Sequence, residues 1–430
     1  MKNILLILIL LSPIFLHGEE SWPSKLVVDY RSNPVTLHLV EVSDGFPHYT
    51  HPKLNGFLLR IAGRLLVKHE KTLNLSNLDD FKDTPQMPIL KLNDHTMWTV
   101  VQLSNPQAVI NAMVKLRHVP GVLLAEPDFL QLKITAARGE KARSESNETR
   151  YTAPQNYVRT VLNIKEWPLL AGENVNIAVI DSAFNIYDDS LNIPKIILNY
   201  NVHRRERIDK ARIEPRTIFN DPYHGNASLS LLWGVGEQAK GLAPQASAIL
   251  IERAVNWSSD LALALQLAQS AGADIIACPW TLRFTPQIVS DALDALTTMG
   301  REGKGAIVVA AAGNQYFNID DSLSFAAEPN VLVINALSNG QLWPAQKKQF
   351  NAILPVPYLI NFQGRTLSYS GTSSASVAVS GVIASLLSID PALSRQEIED
   401  LLRKFSSPEL EVQELVKYVV AESKSNRNHN

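Results

Sequence analysis

Four polar residues stand where a strand or helix begins or ends, and together they make the side-chain set of an acyl-transfer site. Ser373 sits in the small, hydroxyl-rich run Ser370-Gly371-Thr372-Ser373-Ser374-Ala375, which leads directly into an apolar helical stretch over 377–387. A serine in the first turn of a helix lies near the positive end of the helix dipole, where backbone N–H groups point at a developing anion. Its hydroxyl is too weakly acidic to attack a carbonyl unaided and needs a base. His224 opens a second apolar helical run and is suited to take that proton and return it to a leaving amine. Asp181 closes a buried strand pattern over 175–180, where a carboxylate fixes the imidazole tautomer and stabilises the imidazolium. Asn314 follows Ala311-Ala312-Gly313 at the mouth of another strand; its amide, with the Ser373 backbone N–H, is placed to hold a tetrahedral oxyanion. Singly, each has a plainer explanation: a strand-end Asp forms turns, a helix-start His is exposed, and an Asn after Gly is a turn residue. Their joint occurrence at element ends points to catalysis.

Those ends belong to an alternating pattern. Beyond about residue 157, strands at 175–180, 248–251, 274–278 and 306–311 alternate with helices at 260–270 and 286–299. Ser258 or Ser259 is expected to cap the first helix and Gly272 to end it; Pro286 opens the second and Gly300 follows it. Such alternation predicts an α/β domain with a mostly parallel sheet and helices on both faces, whose reactive groups gather beyond the carboxyl ends of the strands. The region before it reads as a small α+β unit: a strand at 98–103, a helix at 106–116, a Pro120-Gly121 turn and a strand at 122–125. Between the two, 133–152 is rich in Arg, Lys and Glu and poor in large apolar residues, the composition of an exposed, readily cut linker.

With 430 residues, 46% of them hydrophobic and 19% charged, the chain is long enough for two or three domains. A net charge of -2 and the absence of a basic stripe speak against nucleic acid as a partner. The basic cluster at 203–207 is interrupted by Glu206 and reads as a solvated loop. Lys2 followed by an apolar run over 4–16 and the small Gly18 reads as a cleaved signal peptide, too short to anchor in a bilayer. No membrane span is expected after its removal, and the protein is expected to be exported, either secreted or held in the cell envelope. Cys278 is the sole cysteine, so no internal disulfide is expected. It lies in the apolar pattern Ile275-Ile276-Ala277-Cys278 and reads as a buried small hydrophobe.

The order Asp, His, Ser and the motifs around them resemble those of the subtilisin-like serine peptidases. Asp181-Ser182 is similar to that family's Asp-Ser/Thr-Gly, His224-Gly225 to its His-Gly-Thr, and Gly241-Leu242-Ala243-Pro244 to its Gly-Val-Ala-Pro turn. Ala311-Ala312-Gly313-Asn314 is similar to its oxyanion-hole segment, and Gly371-Thr372-Ser373-Ser374-Ala375 to its Gly-Thr-Ser-x-Ala. The resemblance runs over roughly 162–405 and implies a three-layer subtilisin-like domain. It also implies an endopeptidase that cleaves protein or peptide substrates through an acyl-enzyme intermediate. Residues 116–128 resemble the end of the family's propeptide, which implies an N-terminal domain acting as chaperone and inhibitor, and hence a zymogen. The expected organisation is a signal peptide at 1–18, a propeptide-like domain at 19–135, a linker at 136–152, a catalytic domain at 153–410 and a tail at 411–430, polar and disordered beyond about 422.

Departures from the family pattern are informative. Ala183 replaces the Gly after Asp-Ser, which a turn of negative φ tolerates; Asn226 replaces Thr, and Val377 replaces a Pro, restoring an N–H to the helix. The largest is Ala277-Cys278-Pro279-Trp280-Thr281, where the family has Asn-x-Ser-Leu-Gly. By resemblance, Cys278, Pro279, Trp280 and Thr281, with Ala312 and Gly313, wall the substrate cleft, and the exchange predicts a narrower one. It also motivates a competing reading, a catalytically weak or inactive relative that binds peptides; the retained Asp181, His224, Asn314 and Ser373 oppose it. A lipase fits worse, since Ala375 breaks Gly-x-Ser-x-Gly and the order of the triad differs. Members of the family often bind calcium, but no dense acidic loop suits one. Asp188-Asp189 and Asp320-Asp321 read as surface loop pairs, and no metal or cofactor is expected.

Overall fold

Five runs, 177–180, 248–251, 275–278, 307–311 and 331–336, apolar save for Asn335, are buried along their whole length, Asn335 at 1% exposure included. Strands of that composition need cover on both faces, as parallel sheets provide. The computed structural model describes residues 22–54, 56–133, 161–163, 171–208, 223–236, 239–253, 255–314, 323–343 and 350–427. The expected signal segment, the linker at 136–152 and Asp320-Asp321 lie outside these residues.

In the nine-stranded sheet, Asn176–Asp181 is central, between Ser247–Glu252 and Ile275–Cys278. Ile196–Asn201 extends one side, and Ile307–Ala311, Val331–Ser338 and Ala352–Pro355 extend the other, all parallel. Among the described residues, only the two-residue strands Glu206–Arg207 and Gln341–Leu342 of this sheet run antiparallel, one on Ile196–Asn201 and the other on Val331–Ser338. Alternate residues serve the two faces. Ile177 and Val179 face the helices His224–Trp233, Gly371–Ile389, Arg395–Lys404 and Val412–Arg427. Ala178 and Ile180 face Ser258–Ser270 and Gln287–Met299. The expected three-layer α/β arrangement is what forms, and Asp181, Cys278 and Ala311 end neighbouring strands on one edge. Gly371–Ile389 is long and apolar enough to cross a membrane, but most of it is buried inside this core.

Several expectations fail. Ser258 and Ser259 lie inside the helix Ser258–Ser270 and do not cap it. The polar tail is a helix to Arg427, held by the buried Val412, Leu415, Val416 and Val419 on one face, an amphipathic spacing that its many charged residues hide. The cluster at 203–207 is not simply solvated: His203 Nδ1 and Arg205 Nη2 lie 3.0 and 3.1 Å from the buried carboxylate of Asp260.

The N-terminal residues form a separate antiparallel sheet of seven strands between Lys25 and Lys133. Its helix, Pro106–Leu116, is capped by Asn105, whose side chain accepts from the Ala108 N–H at 2.8 Å. Strand alternation again divides the burial. Leu65, Val67 and Val101 pack with Val109 and Met113 of this helix, whereas Leu66, Trp98 and Val100 pack with Ser258–Ser270 and Gln287–Met299. The strand Val122–Lys133 therefore lies along the starts of those two helices, neither of which has a side-chain cap of its own. Asp128 accepts from Ser259 N–H (2.9 Å) and Oγ (2.6 Å), and Glu126 accepts from Ile288 N–H (3.3 Å). Acceptors at these positive helix ends satisfy otherwise orphaned donors.

Both carboxyls are fully enclosed. Desolvation pushes Asp128 up to about 6, against the pull of Arg64 at 3.0 Å and of Ser259, with Asp260 adding to the rise. Desolvation also raises Glu126, with Asp291 and Asp29 adding to it and the amides of Ile288 and Gln287 opposing it. A carboxyl whose docked value exceeds its free value, about 4, is taken up with a proton on docking. Docking is thus favoured as pH falls from neutral through about 6 and is weakest above it. Hydrogen exchange at the Ser259 and Ile288 amides, corrected for intrinsic rates, is expected to be slower at pH 5 than at pH 7.5. Equal protection at both would contradict the assignment.

Candidate active site

Asp181 reaches the carboxyl edge of the sheet as the last residue of its strand and is fully buried. Its carboxylate accepts from three donors: Ser182 N–H at 2.7 Å, Ser228 Oγ at 2.8 Å and His224 Nδ1 at 2.7 Å. With Nδ1–H held by a carboxylate, the other imidazole nitrogen, Nε2, is the basic one. Gly225 follows because a Cβ there would stand 2.7 Å from Ala183 O and meet the Phe184 ring. Ala183 is absent from the residues of positive φ, as its substitution for Gly requires. Asn226 is 1% exposed and braces the turn after Asp181, accepting from Asn185 N–H (2.7 Å) and donating to Asn185 O (3.0 Å).

Ser373 is the third residue of Gly371–Ile389 and is partly exposed. This helix lies beside His224–Trp233: Leu232 approaches Gly381, and Ser228 Oγ is 3.1 Å from the Oη of Tyr369, two residues before the helix begins. The two helix starts, with His224 and Ser373, therefore sit at one end. Tyr369 also sets its ring edge-on to His224, with centroids 5.8 Å apart. Asn314 is tied to the same turn. Its Oδ1 accepts from Thr372 N–H (3.0 Å) and Oγ1 (2.9 Å), which leaves the amide NH2 as the donating side. Gly371 has φ +83°, and a Cβ on it would stand 3.1 Å from that amide. Gly313 N–H donates to Thr372 Oγ1 at 3.1 Å.

The strand end expected to wall the cleft is arranged differently from the expectation. Cys278 is fully buried, and burial pushes its thiol far above the usual range. Trp280 turns into the interior, donating from Nε1 to Ile180 O and stacking under the Arg253 guanidinium, 4.0 Å from the ring centroid, with Phe325 beside it at 5.0 Å. Pro279 is buried between Cys278 O and Trp280 N–H, which bond at 2.7 Å. Of the four, Thr281 is the partly exposed one, and its Cγ2 lies 3.4 Å from the Cβ position of Gly313. Ala312 is buried at 1% exposure. The indole fills core space, so it does not stand in the cleft as a bulky wall.

Residues 172–419 match the model of the Subtilase family (Peptidase S8). The chain belongs to that family. A curated calcium-dependent protease from a Nostoc species is 25% identical over 288 residues, covering 55% of this subtilase and 42% of the relative. A homologue from Trichormus variabilis is 26% identical over the same extent. The subtilase thus spans less than half the length of the curated relatives it matches. Among solved structures, fervidolysin from Fervidobacterium pennivorans, a keratinolytic enzyme related to subtilisin, has a TM-score of 0.62 at 17% identity, covering 88% of this chain and 62% of that one. The epidermin leader peptide processing serine protease of Staphylococcus aureus has a TM-score of 0.58 at 15% identity, over 83% and 99%. Both likenesses cover more than the residues of the family match and concern the fold.

Several residues of the site escaped the sequence reading. Ser228 stands one helical turn after His224, a spacing that puts both on one face, and Tyr369 stands four before Ser373. Arg253, 1% exposed, leaves its strand beside Asp181, its N–H donating to Asp181 O at 2.8 Å; burial lowers it to about 10. Asp188, expected in a surface pair, is 7% exposed. It accepts from Ser190 N–H and Oγ and from Gln363 N–H, at 2.9, 2.6 and 3.0 Å. Those N–H and O–H donors point at the carboxylate where a calcium ion would need oxygen acceptors, so the donor set does not fit one.

Proposed function

We propose that this subtilase is an exported serine endopeptidase, made as a zymogen, in which Ser373 is the nucleophile, His224 the general base and Asp181 its orienting acid. The observation that carries the reading is the buried Asp181 carboxylate holding His224 Nδ1 at the helix end shared with Ser373. His224 takes the Ser373 proton through Nε2 as Oγ attacks the peptide carbonyl, and the imidazolium is held by Asp181. The proton then passes to the leaving amine, and water repeats the sequence on the acyl-enzyme. Asn314 Nδ2 and the Ser373 N–H hold the oxyanion. Burial keeps the Asp181 carboxylate out of water while His224 stays partly exposed, and this geometry favours an enzyme over a peptide-binding relative. Mass-spectrometric mapping of a fluorophosphonate adduct tests the assignment: the label is expected on the peptide holding Ser373, and an unlabelled chain would sink it. Asn314→Ala is expected to lower kcat about 10²–10³-fold with little change in KM, read from steady-state kinetics.

The N-terminal sheet serves in this proposal as the inhibitor. Its strand Val122–Lys133 caps two helices of the catalytic unit and ends against Trp257 and Phe284, at the same sheet edge as Asp181. The apolar start of the sequence supports export, and the linker composition supports cleavage after folding.

A further inference from the structure

The strand Val122–Lys133 ends between two segments that leave the carboxyl edge of the sheet on either side of Asp181. On one side, Leu130 bridges Trp257 and Gln131 N–H donates to Asn256 O at 3.2 Å. On the other, the Gln131 side chain meets the main chain of Phe284 twice. Its Nε2 donates to Phe284 O at 2.6 Å, and its Oε1 accepts from Phe284 N–H at 3.3 Å. Gln131 is 5% exposed and Phe284 fully buried, with the Phe129 ring edge-on to the Phe284 ring at 5.8 Å. Three residues before Phe284, Thr281 reaches Gly313, the neighbour of Asn314, so the contact lies on the wall that leads to the oxyanion side of the site.

This pair of bonds selects for chemistry. Side chains with an N–H donor and a C=O acceptor side by side are the carboxamides of Gln and Asn, and Asn is one methylene shorter. A glutamate sets a second acceptor against Phe284 O. A leucine leaves both main-chain groups of Phe284 buried and unpaired, the costlier failure for a site built on hydrogen bonds.

We propose that the Phe284 main chain is a carboxamide-reading subsite, and that peptide substrates of this enzyme carry glutamine where Gln131 lies in the N-terminal strand. The substrate half rests on the reading of that strand as the self-inhibitory occupant of the cleft. Two measurements test it. The first is independent of activity: in full-length Ser373→Ala chain, a further Gln131→Leu change is expected to speed exchange of the Phe284 amide about tenfold, while Gln131 in a chain altered only at the exposed Leu123→Ala keeps it protected. Unchanged exchange overturns the subsite. The second is a positional-scanning peptide library given to the processed enzyme. One unprimed position is expected to prefer Gln over both Leu and Glu by about tenfold, and Phe284→Leu, which keeps the main chain, is expected to retain that preference. Cleavage with Leu equal to or above Gln at every unprimed position overturns the substrate inference. An enzyme that neither takes a fluorophosphonate nor cleaves overturns the peptidase reading and the substrate half with it, and the exchange measurement still decides whether Phe284 reads the amide.

Discussion

Ser373→Ala is expected to lower turnover by a factor on the order of 10⁶ and to leave the unfolding temperature unchanged. The reason lies in how the hydroxyls of its turn are used. Thr372 Oγ1 donates to Asn314 Oδ1 at 2.9 Å, Ser374 Oγ to Gly371 O at 2.9 Å, and Ser376 Oγ to Ser373 O at 2.8 Å. These three hold the helix start together, and Thr372, Ser374 and Ser376 are buried. Ser373 alone of the run 371–376 is partly exposed, which fits the role proposed for its hydroxyl. The control is Ser376→Ala, which removes a local bond to the backbone and should move the unfolding temperature while turnover stays in the wild-type range. Active-site titration, steady-state kinetics and calorimetry on the three chains decide the matter. If Ser373→Ala still cleaves at a rate within tenfold of the parent, another nucleophile operates.

Asp181→Asn is expected to cost about 10⁴ in kcat, with a loss of stability of about 1–3 kcal/mol. The carboxylate takes hydrogen bonds from Ser182 N–H, Ser228 Oγ and His224 Nδ1. An amide has one accepting oxygen, so its NH2 must face at least one of those donors. If it faces His224, the imidazole turns to the tautomer with the proton on Nε2, and the base is gone. If it faces Ser182, a buried N–H is left unpaired; if it faces Ser228, that hydroxyl must turn to accept and give its proton to His224 O or Tyr369 Oη instead. The variant should therefore still accept a tight-binding inhibitor while its kcat falls, and a variant of near-normal kcat would mean that His224 is oriented by something other than Asp181. Tyr369, which touches both Ser228 and His224, is the first alternative to examine.

Much of the fold was legible because burial on both faces writes itself as continuous apolar runs. Ile177–Ile180 and Ile307–Ala311 cannot be stable except in a covered parallel sheet, and the helices between them follow from caps and spacing. The proposed chemistry was legible for a similar reason: Asp181, His224, Asn314 and Ser373 stand in short motifs at element ends, where the backbone geometry allows few residue types. Arg205, Asp188 and the helix Val412–Arg427 were misjudged because composition shows how polar a segment is and not what it meets. Arg205 finds Asp260 some 55 positions away in the chain, and Asp188 finds Gln363 across 175.

Trp280 is the sharpest case. In the sequence it is a bulky residue in a position that resembles a cleft wall. Its rotamer is decided by partners from three other segments, Ile180 O, Arg253 and Phe325, and they draw it inward. The caps that Glu126 and Asp128 place on Ile288 and Ser259, and the two bonds between Gln131 and Phe284, are likewise unreadable along the chain, since each joins residues more than 130 positions apart. Local sequence thus pointed to the residues proposed to carry the chemistry and to the runs that form the sheet, because those depend on side-chain type and near neighbours. Where Trp280 packs and which main-chain groups the N-terminal strand meets were left to tertiary packing, because only packing determines which distant groups satisfy a buried donor or fill a buried volume.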